Sequence, residues 1–111
     1  MIKIKDVLVI KEAVDDLNDG RIFYNRKEAG VGEYFWDSLI ADIESLVIYA
    51  GIHKKKYGLH QMFAKRFPYA IYYKIVEDIA YIIAVLPMRR DPAWIKRKFK
   101  ASRKKGVTHE K

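Results

Sequence analysis

Two pairs of adjacent cations, Lys65-Arg66 and Arg89-Arg90, are the residues of this sequence whose types and spacing best suit chemistry. The apolar pattern puts each pair at or beside a strand, and two strands of one small sheet would bring both pairs to a common surface. Four cations on adjacent strands repel one another, which stability alone does not favour, so their coincidence points to an anion. Ion pairing with Asp or Glu of the chain or of a partner is the competing reading, and the residues leave it open. Further candidate contacts to a nucleic acid or another target are Tyr73 and Lys74, on the strand that follows the first pair, and Lys96, Arg97 and Lys98, beyond the second. His53, His60 and His109 are dispersed, without a second His or a carboxylate at ligand spacing. They read as surface residues, and neither a metal nor a cofactor is expected.

Charge is divided along the chain. Residues 1–50 carry 6 Lys/Arg against 10 Asp/Glu, whereas residues 51–111 carry 16 against 4, within a formal net charge of +8. Any surface that faces a polyanion is therefore built by the second half, where clustered Lys and Arg gain affinity by releasing counterions from phosphates. With no cysteine, neither a disulfide framework nor a thiolate metal site is possible, and a reducing compartment is compatible with this. The N-terminus alternates Lys with apolar residues and lacks the uninterrupted core of a signal peptide. The longest apolar run, Ile79 to Leu86, falls well short of the roughly 18 to 20 residues of a membrane span. A cytoplasmic location without membrane contact is expected.

The elements that must position these cations follow from periodicity. Ile2, Ile4, Val7, Val9 and Ile10 read as an opening strand. Lys11 to Lys27 places Ala13, Leu17, Gly20 and Tyr24 on one helical stripe, and Gly20 costs that helix about 1 kcal/mol against Ala, which a close helix contact would explain. After the break at residues 29–32, Phe35, Leu39, Ile40, Ile43, Leu46, Val47 and Ala50 define a second amphipathic helix, ended by Gly51 in the left-handed region. Gln61–Phe67, Tyr69–Val76 and Ile79–Leu86 read as three strands, the last two joined by the turn Glu77-Asp78. The last of these is apolar on both sides, as in a central strand. The fold class is thus α+β in the order β-α-α-β-β-β, a helical hairpin packed on one face of a small, mostly antiparallel sheet. One domain is expected over residues 1–99, followed by a basic, flexible tail over residues 100–111.

Two segments carry a resemblance. Lys65 to Tyr73 reads KRFPYAIYY and Arg89 to Trp94 reads RRDPAW, and Ala13, Asp16 and Leu17 open the first helix in an A-x-x-D-L pattern. In this combination, over about residues 4–99, the chain resembles the RelE/ParE toxin superfamily of plasmid-stabilisation and type II toxin-antitoxin systems. The resemblance implies a toxin neutralised by a cognate antitoxin, with DNA gyrase, or the ribosome and its mRNA, as target. In the RNA-cutting members, basic residues at positions like Lys65, Arg66, Arg89 and Arg90 hold the substrate phosphate during attack by the neighbouring 2′-OH, a metal-independent endonuclease chemistry in which guanidinium groups stabilise charge and a Lys serves as base. This chain departs from that set. His60-Gln61 stands where many relatives carry Arg, Pro87 where His is common, and no Tyr follows Phe99. These departures favour the ParE branch, associated with gyrase inhibition, over the RelE-like endonuclease. A non-catalytic basic module that docks on nucleic-acid phosphates is the remaining alternative.

Overall fold

The computed structural model describes residues 3–100. In chain order the elements are β1 (Asp6–Val9), α1 (Lys11–Lys27), α2 (Val31–Glu44), α3 (Leu46–Tyr49), β2 (Lys55–Lys56), β3 (Leu59–Phe63), β4 (Tyr69–Val76), β5 (Ile79–Pro87) and α4 (Pro92–Lys100). The strands form one sheet in the order β1-β5-β4-β3-β2. β1 runs parallel to β5, and every other pair is antiparallel. The expected α+β arrangement, a helical hairpin against a mostly antiparallel sheet with Ile79–Leu86 in a central strand, is present.

The hairpin forms because α1 and α2 each carry an apolar stripe and their connection is short and tightly capped. Asn25 Oδ1 accepts the backbone N–H groups of Gly30 (3.2 Å) and Gly32 (2.7 Å). Gly30, at φ 93°, takes the left-handed conformation that a side chain would strain. Ala13 and Leu17 of α1 and Phe35, Leu39 and Ile43 of α2 then pack on Met62, Tyr69, Ile71, Tyr73, Ile82 and Val85 of the sheet. The second helix is divided where the pattern predicts one continuous helix. Ser45 donates its hydroxyl to the Asp42 carbonyl at the junction, and α3 follows directly, ending before Gly51 at φ 97° as expected.

The other face of the sheet is covered as well. α4 is not among the predicted elements, and neither is β2. α4 lays Ile95, Trp94 and Phe99 against Leu59, Ala70, Tyr72, Ile83, Ala84 and Leu86. Tyr69–Tyr73 is therefore buried throughout. The two-residue alternation of a regular strand breaks along β5. Tyr73 pairs with Ile82 and Tyr72 with Ala84, so Ile83 is an extra residue, a bulge that puts Val85 on the hairpin side with Ala80 and Ile82. Among the described residues, no helix is long and apolar enough to cross a membrane. The expected tail, apart from Lys100 at the end of α4, lies outside the described residues, as do Ile2 and His109.

Candidate functional site

Where β1 stops at Val9, the edge of β5 is left without a strand partner. The last link between the two is the Ile10 N–H on the Ile82 carbonyl, 3.1 Å. Beyond it the Val85 N–H points into the space between α1 and α4, and the carboxylate of Asp16, itself buried, accepts it at 3.0 Å. A buried N–H must find an acceptor, so this Asp is explained by the sheet edge it covers.

Past that bond the edge opens into a groove of about 860 Å³. α1 contributes Asp16, Asp19, Ile22, Phe23, Arg26 and Lys27, a second stripe at spacings of three and four residues. Val85, Leu86 and Pro87 form the floor, while Arg89, Arg90, Trp94 and Lys98 close the far side. Charge is ordered along this stripe, with carboxylates at its start, apolar side chains in the middle and cations at its end. Facing that cationic end, the Arg90 guanidinium lies over the Trp94 ring at 4.6 Å and the Lys98 ammonium at 5.3 Å, so the indole holds two cations in place. Trp94 is set by the start of α4, where Asp91 Oδ1 accepts its N–H at 2.9 Å and Pro92 occupies the first turn.

Tyr24 and Tyr69 also line the groove. Burial raises the Tyr24 phenol above its ordinary value, opposed by Arg89. Burial, reinforced by Tyr24, Asp19 and Asp16 and opposed by Arg90, pushes Tyr69 up to about 12. Both hydroxyls stay protonated at neutral pH and can donate to an anion beside the guanidinium groups.

The predicted site residues separate. Arg89 and Arg90 sit in the turn after β5 and join Arg26, Lys27 and Lys98 in the groove. Lys65 and Arg66 do not lie on a strand as expected. β3 ends at Phe63, and they occupy the exposed loop before β4, where the Lys65 N–H donates to Asp42 Oδ2 at 3.0 Å; neither lines the groove. The strand does not continue because Pro68 lacks an N–H and the Phe67 ring turns in to pack on Tyr24, Tyr34 and Phe35. Lys74 is half-buried on β4, and Lys96 and Arg97 are exposed on α4. Tyr73 is a correction. Its ring is wholly buried and its hydroxyl is bound to the Gly51 amide and the His53 ring, so it presents no surface to a target. His53 and His60, expected at the surface, are half-buried and flank Tyr73. Arg26 and Lys27 are missed by sequence reasoning, although their spacing from Asp19, Ile22 and Phe23 is the signal that could have found them.

No family profile matches the sequence, and no curated protein matches it. Among solved structures it is similar to a chain of the "Chromosomal ParDE TA system from P. aeruginosa". The two share 12% identity over 78% of this chain and 98% of that one, with a TM-score of 0.70. The likeness is one of fold, and it spans nearly the whole of the other chain.

Proposed function

We propose that this chain is the toxin of a type II toxin-antitoxin pair, of the ParE-like kind, and that the groove between α1 and α4 is its working surface. The observation that carries this reading is the convergence of Arg89 and Arg90 with Arg26, Lys27 and Lys98 along an uncovered edge of β5, in a fold like that of a chain of a ParDE TA system. Five cations in one groove attract an acidic partner strongly and at long range. The cognate antitoxin neutralises the toxin by laying an acidic, amphipathic segment over this surface. DNA gyrase is the favoured target. A RelE-like mRNA endonuclease is the second reading, supported by the protonated Tyr24 and Tyr69 beside the guanidinium groups; against it, Lys65 and Arg66 lie apart from that cluster.

The test is expression of the chain alone and together with the product of the adjacent reading frame. Growth arrest relieved by the second protein is the expected result, and unimpaired growth under strong expression would sink the proposal. Relaxed or cleaved plasmid in arrested cells identifies gyrase, and mRNA cut during translation identifies the endonuclease.

A further inference from the structure

Tyr73 of β4 is buried beneath two imidazoles. His60 of β3 stacks on its ring at 4.9 Å between centroids, and the His53 ring meets it edge-on at 5.6 Å. Three hydrogen bonds tie these residues together. The Gly51 N–H donates to Tyr73 Oη (2.9 Å), Tyr73 Oη and His53 Nδ1 lie 2.6 Å apart, and the His60 Nδ1–H donates to the His53 carbonyl (2.7 Å). The middle bond has a required direction. Tyr73 Oη already accepts from Gly51, and a buried hydroxyl proton needs an acceptor, which His53 Nδ1 supplies only when it carries no proton. His53 is thus held as the neutral Nε2–H tautomer.

We infer that Tyr73 and His53 form a pH-sensitive latch: neutral His53 pins the Gly51–Lys56 connection and its edge strand β2 to the sheet, and protonation of Nδ1 releases them. A protonated Nδ1 can only donate, so it turns its proton toward a hydroxyl that has lost its acceptor. The surroundings work in the same direction. The titratable groups that the structure sets against His53 are Tyr73 from β4 and His60 from β3, and its own segment adds Lys54, Lys55 and Lys56. None of these is a carboxylate that would stabilise an imidazolium. Burial, with a smaller contribution from His60, lowers the His53 pKa below the ordinary 6.5. Protonation of His60 at Nε2 leaves its Nδ1–H bond intact, so His53 is the switch. In the released form His53 regains its ordinary pKa, so lowering the pH below 6.5 favours release until His53 also titrates in the latched form.

The experiment is a pH titration of the intact protein from 7.5 to 4.5, reading imidazole tautomers by nitrogen-15 NMR and Gly51 amide protection by hydrogen exchange. The expected result is an Nε2–H tautomer for His53 at neutral pH, with Gly51 protection, corrected for intrinsic exchange, falling by up to about tenfold per pH unit below 6.5. His53→Ala should abolish that dependence and His60→Gln should keep it; because neither alters the buried Tyr73 ring, the test does not hang on Tyr73→Phe folding. An Nδ1–H tautomer at pH 7.5, protection that does not change with pH, or a dependence lost in His60→Gln but kept in His53→Ala would each overturn the latch.

Discussion

Gly20 of α1 lies directly under the ring of Phe35 of α2, so that a Cβ at position 20 would stand 2.5 Å from Cε2 of that ring. The helix tolerates its weakest ordinary former because the hairpin closes on it. Gly20→Ala gains about 1 kcal/mol of helix propensity but overpacks a buried aromatic, which costs about 1–3 kcal/mol. The expected outcome is a net loss of up to about 2 kcal/mol in urea unfolding. Phe35→Leu in the same chain should cost less in the Gly20→Ala background than alone, a non-additivity that a double-mutant cycle measures.

Asp16 offers a second check, because its carboxylate serves the backbone of another element. Asp16→Ala leaves the Val85 N–H without its acceptor in a buried place and should cost about 1–3 kcal/mol. Asp16→Asn keeps an acceptor oxygen and should cost markedly less. Equal losses in the two variants would show that the bond to Val85 is not what Asp16 contributes.

The parts of the fold legible in the sequence are those set by contacts near in the chain. α1 begins and ends where its stripe predicts, the β4–β5 turn falls at Glu77-Asp78, and Gly51 takes its left-handed place. α4 escaped because Lys96, Arg97, Lys98 and Lys100 surround its few apolar residues, although Asp91-Pro92 is a helix start. Without α4 to cover that face of the sheet, Tyr73 looked available to a target. The lining of the candidate groove was legible in part: Arg89 and Arg90 stood out as a pair, but Arg26 and Lys27 meet them only through the packing of α1 across the β5 edge. Lys65 and Arg66 misled because the apolar run into Phe67 resembles a strand, whereas Phe67 turns in to the hairpin core.

That separation gives a mutational contrast. In the toxicity assay, Arg89→Glu with Arg90→Glu should abolish growth arrest, and Arg26→Glu with Lys27→Glu should weaken it at least about tenfold if each lost contact is worth about 1 kcal/mol or more. Lys65→Ala with Arg66→Ala should leave it within about twofold, since exposed cations remote from the groove contribute little. Circular dichroism and unfolding midpoints check that each pair still folds. Full toxicity in the Arg89→Glu, Arg90→Glu protein would remove the groove from the mechanism.

The groove tyrosines carry the last expectation. The raised pKa of Tyr24 and the value of about 12 for Tyr69 mean that the folded protein resists ionising them. Below pH 10 both folded and unfolded chains hold these phenols neutral, so they add no pH dependence there. As pH rises above 10 the unfolded chain ionises first, its proton count falls below that of the folded chain, and stability declines until about pH 12, where Tyr69 titrates in the fold. Urea unfolding at pH 9, 10.5 and 11.5 should therefore show a falling midpoint, with absorbance at the phenolate band rising as the chain unfolds. Tyr69→Phe should flatten the decline, because the ring stays in its place against Phe35 while the ionisable group is gone. A decline as steep as that of the parent would mean that Tyr69 ionises as easily as an exposed phenol, and it could not then serve as a neutral donor held in the groove.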